Sequence, residues 1–431
     1  MKKIGFITLG CDKNRVDGEK ILGNFIDNGY ETVADPMLAD VIIVNTCGFI
    51  ECAKEESLDA IFDMCAIKEQ TGAKLIVTGC LSQRYGDELK KEIPEVDVFL
   101  PLNKNEDILS VCESEYSKAN GNRVLTTPPH YAYIKIADGC NNRCAFCAIP
   151  SIRGNYISTP IEDIVCEAEK VIRENGVREL ILVAQDTTRY GKDLYGKYTL
   201  IDLLDKLSSL DVEWIRLLYC YPELVSDELL DYIDNNPKVC KYLDIPFQHC
   251  SNNMLRAMRR RNTKEQAIDL IKRIRCMKSH FAIRSTFMVG FPGESEQDFE
   301  ELIDFIKTQQ LDNVGFFAYS REEGTASYDM KGQVSEKVKK ARLKSVFLAQ
   351  QESVFKSSER FVGQTIKVLY EGIDEDKQAF YGRCEYQAPD IDGKVYFTSN
   401  ICPMVGEFYK VKITKVVGYD LEGELVNEYS K

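Results

Sequence analysis

Histidine is scarce in this sequence, with three in 431 residues, and tryptophan occurs once. A zinc or non-haem iron site built from imidazoles is therefore not expected, because His130, His249 and His280 would all have to meet in it. Long apolar runs are also missing. Nothing approaches the roughly 18 residues of a membrane-spanning helix, and the longest apolar stretches, at 41–44 and 180–184, have strand length. The apolar stretch after Met1-Lys2-Lys3 stops at Gly10-Cys11-Asp12-Lys13, so no targeting segment is read and the expected location is the cytoplasm. Basic charge is in deficit too: 55 Lys and Arg stand against 68 Asp and Glu, a net charge of -13. That balance argues against sequence-independent binding to nucleic acid and favours a basic partner.

What is abundant is cysteine, 16 in a chain whose 44% hydrophobic and 29% charged content is that of a globular protein. Without a secretion signal, so many cysteines point to reduced thiols and metal binding rather than to disulfides. Cys140, Cys144 and Cys147 form a CxxxCxxC directly after a short apolar strand. Iron–sulfur cubes normally take four thiolates. Three leave one iron open to a small molecule, which suits an enzyme better than an electron carrier. A structural zinc knot is the plainer alternative, but zinc wants a closed tetrahedron, and the next cysteine, Cys166, falls in an apparent helix.

The strand–helix alternation divides the chain. Residues 1–118 carry strands at 4–9, 41–44 and 75–78 with amphipathic stretches at 18–25 and 55–69 between them, the pattern of a parallel βαβ sheet. A polar link at 114–129 follows. Residues 126–357 contain six further strands, at 132–136, 179–184, 214–218, 242–245, 283–289 and 314–318, which suggests an open, partial (β/α) barrel. A charged helical stretch at 335–352 ends that region. Residues 361–431 switch to short alternating strands at 365–370, 394–397 and 408–416, the pattern of a small antiparallel, OB-like barrel.

Position singles out a second set of cysteines. Cys11, Cys47 and Cys80 each lie one to three residues beyond the carboxyl end of a predicted strand, the edge where parallel sheets bind ligands. Buried cysteines also serve as small hydrophobes, but three such placements together favour ligation. Cys52 and Cys65, on the next helical stretch, are the rival candidates, and Cys52 could replace Cys47. Residues 191–197 have P-loop spacing but lack the preceding strand and the terminal hydroxyl, so a turn is expected. Arg256, Arg259, Arg260 and Arg261 read as a solvated helix face rather than a nucleic-acid groove, because no aromatics interleave them. His249 follows a barrel strand and is either a site-lining or a structural histidine.

A CxxxCxxC after the first strand of a partial barrel resembles the radical S-adenosylmethionine enzymes. The three-part layout resembles the methylthiotransferases among them, with a C-terminal TRAM domain. Matching stretches are Val44-Asn-Thr-Cys-Gly-Phe-Ile50, Pro150-Ser-Ile-Arg-Gly154, Gln185-Asp-Thr-Thr188, Asp244-Ile-Pro-Phe-Gln-His249 and Glu322-Glu-Gly-Thr325. They are most similar to the branch that modifies an aspartate of small-subunit ribosomal protein twelve. Asp12, where the family usually has proline, and Thr159, where arginine is common, depart from the pattern.

The resemblance implies two 4Fe-4S clusters, one on Cys140, Cys144 and Cys147 that binds S-adenosylmethionine, and an auxiliary one on Cys11, Cys47 and Cys80. It also implies Phe146, Gln185 and Gln248 as contacts of the cofactor, and an external electron donor. Methylthiolation of an aspartate β-carbon is the implied reaction, with an adenosine of transfer RNA as the alternative target. Charge separates the two: residues 361–431 hold eight basic against twelve acidic positions, a net of -4. An RNA-binding barrel should be basic, whereas an acidic one suits a basic ribosomal protein.

Overall fold

Parallel strands need crossover helices between them. In the computed structural model, which describes residues 1–113 and 122–426, the N-terminal region supplies them. Its elements are β1 (Lys3–Thr8), α1 (Asp12–Asp27), β2 (Glu31–Val33), β3 (Val41–Thr46), α2 (Glu51–Thr71), β4 (Lys74–Gly79), α3 (Cys80–Glu92) and β5 (Val98–Phe99). They form a parallel sheet ordered β2-β1-β3-β4-β5. β3 is buried along its whole length, which is why it reads as an unbroken apolar run rather than an alternating one. Part of the predicted link, 114–121, lies outside the described residues.

The second unit opens with β6 (Tyr131–Lys135) and β7 (Ala137–Asp138), followed by α4 (Ile149–Arg153), β8 (Ile157–Ser158) and α5 (Ile161–Asn175). It continues through β9 (Glu179–Val183), α6 (Leu200–Ser208), β10 (Trp214–Leu217), α7 (Asp227–Asn235), β11 (Val239–Asp244), α8 (Asn252–Ala257) and α9 (Lys264–Arg275). The last elements are β12 (Ala282–Val289), α10 (Glu296–Gln309), β13 (Asn313–Ala318) and the long α11 (Glu336–Ser358). Six strands pair in parallel in the order β13-β12-β11-β10-β9-β6. β6 and β13 are the two edges, so the sheet curls into a partial barrel with a lateral opening.

The third unit is a closed barrel of β14 (Thr365–Asp374), β15 (Ala379–Cys384), β16 (Val395–Thr398), β17 (Phe408–Val417) and β18 (Asp420–Leu425). Its pairings are antiparallel except for the parallel contact between β16 and β18 that closes the ring.

The outward face of the six-stranded sheet packs on its own helices. Its concave face is covered differently: Tyr131, Tyr133, Ile181, Trp214 and Tyr242 meet Val16 of α1 on one side and Leu369 and Ala388 of the small barrel on the other. The single tryptophan lies edge-on against Phe408, with ring centroids 4.7 Å apart. Charges penetrate this seam. Glu179 is fully buried and pairs with Arg216 at 2.7 Å and with Arg383 of β15 at 2.7 Å. Arg383 also pairs with Glu371 at 2.9 Å, and Arg216 donates to the Glu385 carbonyl at 2.7 Å. Buried ions carry a large desolvation cost and persist only when each is paired.

Arg383→Met strips Glu179 and Glu371 of a partner and is expected to cost about 3–5 kcal/mol in urea denaturation. Lys197→Ala, which removes an exposed pair with Asp202, should stay within about 0.5 kcal/mol; equal effects would refute the assignment. Burial alone would raise the Glu371 carboxyl, but Arg383 and His130 hold it at about 2. Its stabilisation is complete above the ordinary value of 4.5 and is lost as pH falls through 2. The drop in melting temperature across that window should be smaller in Glu371→Gln.

Candidate metal centres

β1, β3 and β4 are neighbours in the first sheet and end level with one another, with Thr8 opposite Asn45, Asn45 opposite Thr78 and Thr46 opposite Gly79. Their carboxyl ends therefore bring Cys11, Cys47 and Cys80 to a single edge. Cys11 caps α1, Cys47 directly follows β3, and Cys80 opens α3. Glycine lets the loops close up. A β-carbon on Gly10 would stand 2.7 Å from Cys47 Cβ and 2.9 Å from its Sγ, and one on Gly79 would stand 2.3 Å from the Thr46 carbonyl oxygen. Both glycines have left-handed φ, +86° and +98°, which a side chain would strain.

The thiols of this set sense one another. Burial pushes Cys80 up to about 12 against the pull of Arg153, and the Cys11 and Cys47 thiols push it further. Burial also raises Cys47, with Cys11 adding to it. Arg153 Nη2 reaches Cys80 Sγ at 3.6 Å.

CxxxCxxC sits at the corresponding edge of the partial barrel, beyond β6 and β7. The Cys140 amide donates to the Gly154 carbonyl at 3.1 Å, and the Cys147 amide to Cys144 at 3.1 Å. Burial lifts Cys147 to about 12, with Cys144 and Cys140 adding to it, and burial likewise raises Cys140, again with Cys144 contributing. Cys144 Sγ lies 3.1 Å from the Tyr221 hydroxyl and 3.7 Å from Arg260 Nη1, and the Arg260 guanidinium stacks 4.2 Å above the Tyr221 ring. Metal binding has to displace the protons of such raised thiols.

Among the described residues, no three His, Cys, Asp or Glu side chains converge as the shell of one ion. A multi-iron centre gives each thiolate its own metal, and two such three-thiol sets fit it.

Three contacts seat the first sheet on the barrel. Asp17 of α1 pairs with Lys135 and, at 2.9 Å, with Arg153, and both cations also hold Asp138, at 2.8 and 3.0 Å. On the far side, Glu322 is almost fully buried and takes Arg84 at 2.9 Å and Lys54 at 3.2 Å. Between them, the Tyr219 hydroxyl donates to Asp12 Oδ1 at 3.2 Å, and Lys13 Nζ sits 3.3 Å from the Tyr219 ring centroid. The two cysteine edges consequently face each other.

The remaining candidates separate. Gln185 follows β9, and its Oε1 is buried with no partner, an acceptor left open beside the cysteine loop. Asp186, next to it, accepts from Asn142 of that loop at 3.1 Å. Phe146 packs on a cluster of Met254, Met258, Phe291 and Tyr319. Gln248 is half-buried with φ +72°, the sparsely used region that clusters at functional sites. His249 is structural: Nδ1 accepts from the Ser251 amide at 2.9 Å, so Nε2 carries the proton and donates to Glu294 at 3.1 Å. Cys166 is exposed on α5, and Cys52 and Cys65 lie on α2. Residues 191–197 form a turn, as expected.

The arginine reading needs a correction. Arg256, Arg259 and Arg261 are exposed, but Arg260 is 8% exposed and turns inward to Cys144. Sequence reasoning missed Arg153, Tyr219 and Tyr221 as site residues. Arg153 had a signal, since it lies in the Pro150–Gly154 stretch; the two tyrosines had none.

Comparison with known proteins agrees with this architecture. The profile of the uncharacterized protein family UPF0004 matches residues 3–101, that of the radical SAM superfamily residues 134–306, and that of the TRAM domain residues 362–426. Among solved structures, the radical S-adenosylmethionine methyltransferase TsrM from Kitasatospora setae, with cobalamin and a [4Fe-4S] cluster bound, superposes with a TM-score of 0.55. It is 13% identical, over 76% of this chain and 77% of that one, a likeness of fold alone. The ribosomal protein uS12 methylthiotransferase RimO of Acetivibrio thermocellus is 47% identical over 100% of both chains. Its counterpart in Clostridium acetobutylicum is 46% identical over 100% of this chain and 99% of the relative. With sequence agreement of that extent across all three units, the chain belongs to the RimO family of radical S-adenosylmethionine methylthiotransferases.

Proposed function

We propose that this enzyme adds a methylthio group to the β-carbon of an aspartate in ribosomal protein uS12. The observation that carries the reading is the pair of three-thiol sets on facing sheet edges, joined by the Asp12–Tyr219 contact. Cys140, Cys144 and Cys147 would hold the cluster that leaves one iron for S-adenosylmethionine, and Cys11, Cys47 and Cys80 the auxiliary one. When bound, the first centre with its cofactor supplies a radical that removes hydrogen from the substrate carbon, and the second supplies the sulfur that carries the methyl group.

The chain's own residues prepare that chemistry. Arg260 and Tyr221 direct donors at Cys144, and Arg153 directs one at Cys80; donors to cluster sulfurs raise the reduction potential. Gln185 has an unpaired acceptor ready for a cofactor donor, and Phe146 and Gln248 are the further contacts we assign to it. Residues 1–118, 126–357 and 361–431 divide the work between auxiliary centre, radical core and substrate-facing barrel. The acidic third unit favours a basic protein over RNA. Among the described residues no helix is long and apolar enough to cross a membrane, and we place the enzyme with its ribosomal substrate in the cytoplasm.

Mass spectrometry of uS12 after anaerobic turnover should show one added methylthio group on an aspartate, and none after Cys140→Ala or Cys80→Ala. Modified transfer RNA with untouched uS12 would overturn the choice of substrate. Gly10→Val drives a side chain into Cys47. Reconstituted protein with that change should lose roughly half its iron, one of two clusters, while still cleaving S-adenosylmethionine to deoxyadenosine. Loss of both centres, or of neither, would contradict the separate assignment.

A further inference from the structure

The arginine run beside α8 is not used by the chemistry above, although Arg260 within it is. Among the described residues, five arginines have neither a hydrogen-bond nor an ion-pair partner for the guanidinium: Arg15, Arg143, Arg256, Arg259 and Arg261. The last four are exposed and flank one loop pair. The Ala145 amide donates to the Met258 carbonyl at 2.9 Å, tying the cysteine loop to the end of α8, while Arg260 reaches inward to Cys144 Sγ at 3.7 Å and to the Pro246 carbonyl at 2.9 Å.

Backbone geometry marks the same place independently. Arg143 and Arg259 have φ of 52° and 57°, a region unfavourable for residues with a β-carbon. Arg259 ends α8 through the 2.8 Å bond from the Arg260 amide to the Leu255 carbonyl, a position that glycine normally takes. In a chain of net charge -13, four unpaired cations, two of them at strained positions, thus flank the joined loops that carry Cys144 and Arg260.

We propose that this face receives a small acidic one-electron carrier protein. The inference rests on the radical reading above, which needs one electron per cleavage of S-adenosylmethionine. The carrier is oxidised by one electron, the cluster on Cys140, Cys144 and Cys147 is reduced by one, and no atom or proton changes hands. Arg143, Arg256, Arg259 and Arg261 orient the carrier, and buried Arg260 lies between that face and the sulfur. An RNA strand is the poorer fit, because no aromatic interleaves Arg256, Arg259 and Arg261 for bases to stack on.

The test uses reconstituted holoenzyme and a bacterial flavodoxin with its flavin fully reduced as the probe. Wild-type enzyme should bind flavodoxin with an affinity that falls steeply with salt, and R256E/R259E/R261E should bind at least about tenfold more weakly. R256K/R259K/R261K, which keeps the charge, should bind within about threefold of wild type and shows that a weak glutamate variant is not merely misfolded. With dithionite, a small reductant that needs no docking, the glutamate variant should form deoxyadenosine at the wild-type rate. Unchanged flavodoxin affinity in the glutamate variant overturns the proposal, as does loss of affinity for a ribosomal RNA fragment with flavodoxin binding retained. If wild-type enzyme makes no deoxyadenosine with dithionite, the radical reading fails, and the binding arm still decides the patch.

Discussion

Everything at the centre of this molecule depends on a half-buried knot of four charges. Asp17, Lys135, Asp138 and Arg153 come from α1, β6, β7 and α4, two units of the chain, and each anion holds both cations. Isolated, any of them would be costly in that position; together they neutralise one another. Because Arg153 also reaches Cys80, the knot that fixes the orientation of the first sheet also touches one of its thiols. Orientation and electrostatics of the site are therefore set by one group of side chains.

The same economy runs along both edges. Parallel strands end in register, so residues far apart in sequence arrive at one line without long loops. Burial then raises Cys47, Cys80, Cys140 and Cys147, and a neighbouring thiol in each set raises them further. Arginine is the fitting neighbour: it keeps its charge under burial, and one stands against each cysteine set.

Much of this was legible beforehand. All six barrel strands are visible as short, largely apolar runs, because most of their residues are covered by a neighbouring layer. The three dispersed cysteines were visible because each followed such a run. The amphipathic stretch at 18–25 covers only part of α1, which begins at Asp12. Its first turns have no apolar period, since Asp12, Lys13, Asn14 and Asp17 are committed to contacts with the barrel and the cysteine loops. β15 and β18 were missed for a related reason: Gly382 and Gly423 interrupt them where a neighbouring backbone passes too close for a side chain. Tyr219 and Tyr221 could not be found at all, because their roles exist only once two separate units meet.

Arg383 gives the small barrel a significance beyond that of an appended module. Its guanidinium passes through the seam and ends on Glu179, at the root of the catalytic sheet. An exchange of C-terminal units between distant relatives would thus leave Glu179 with Arg216 as its remaining partner unless the matching arginine came along. The two halves of that contact constrain each other, and the small barrel can diversify only on surfaces that leave it alone.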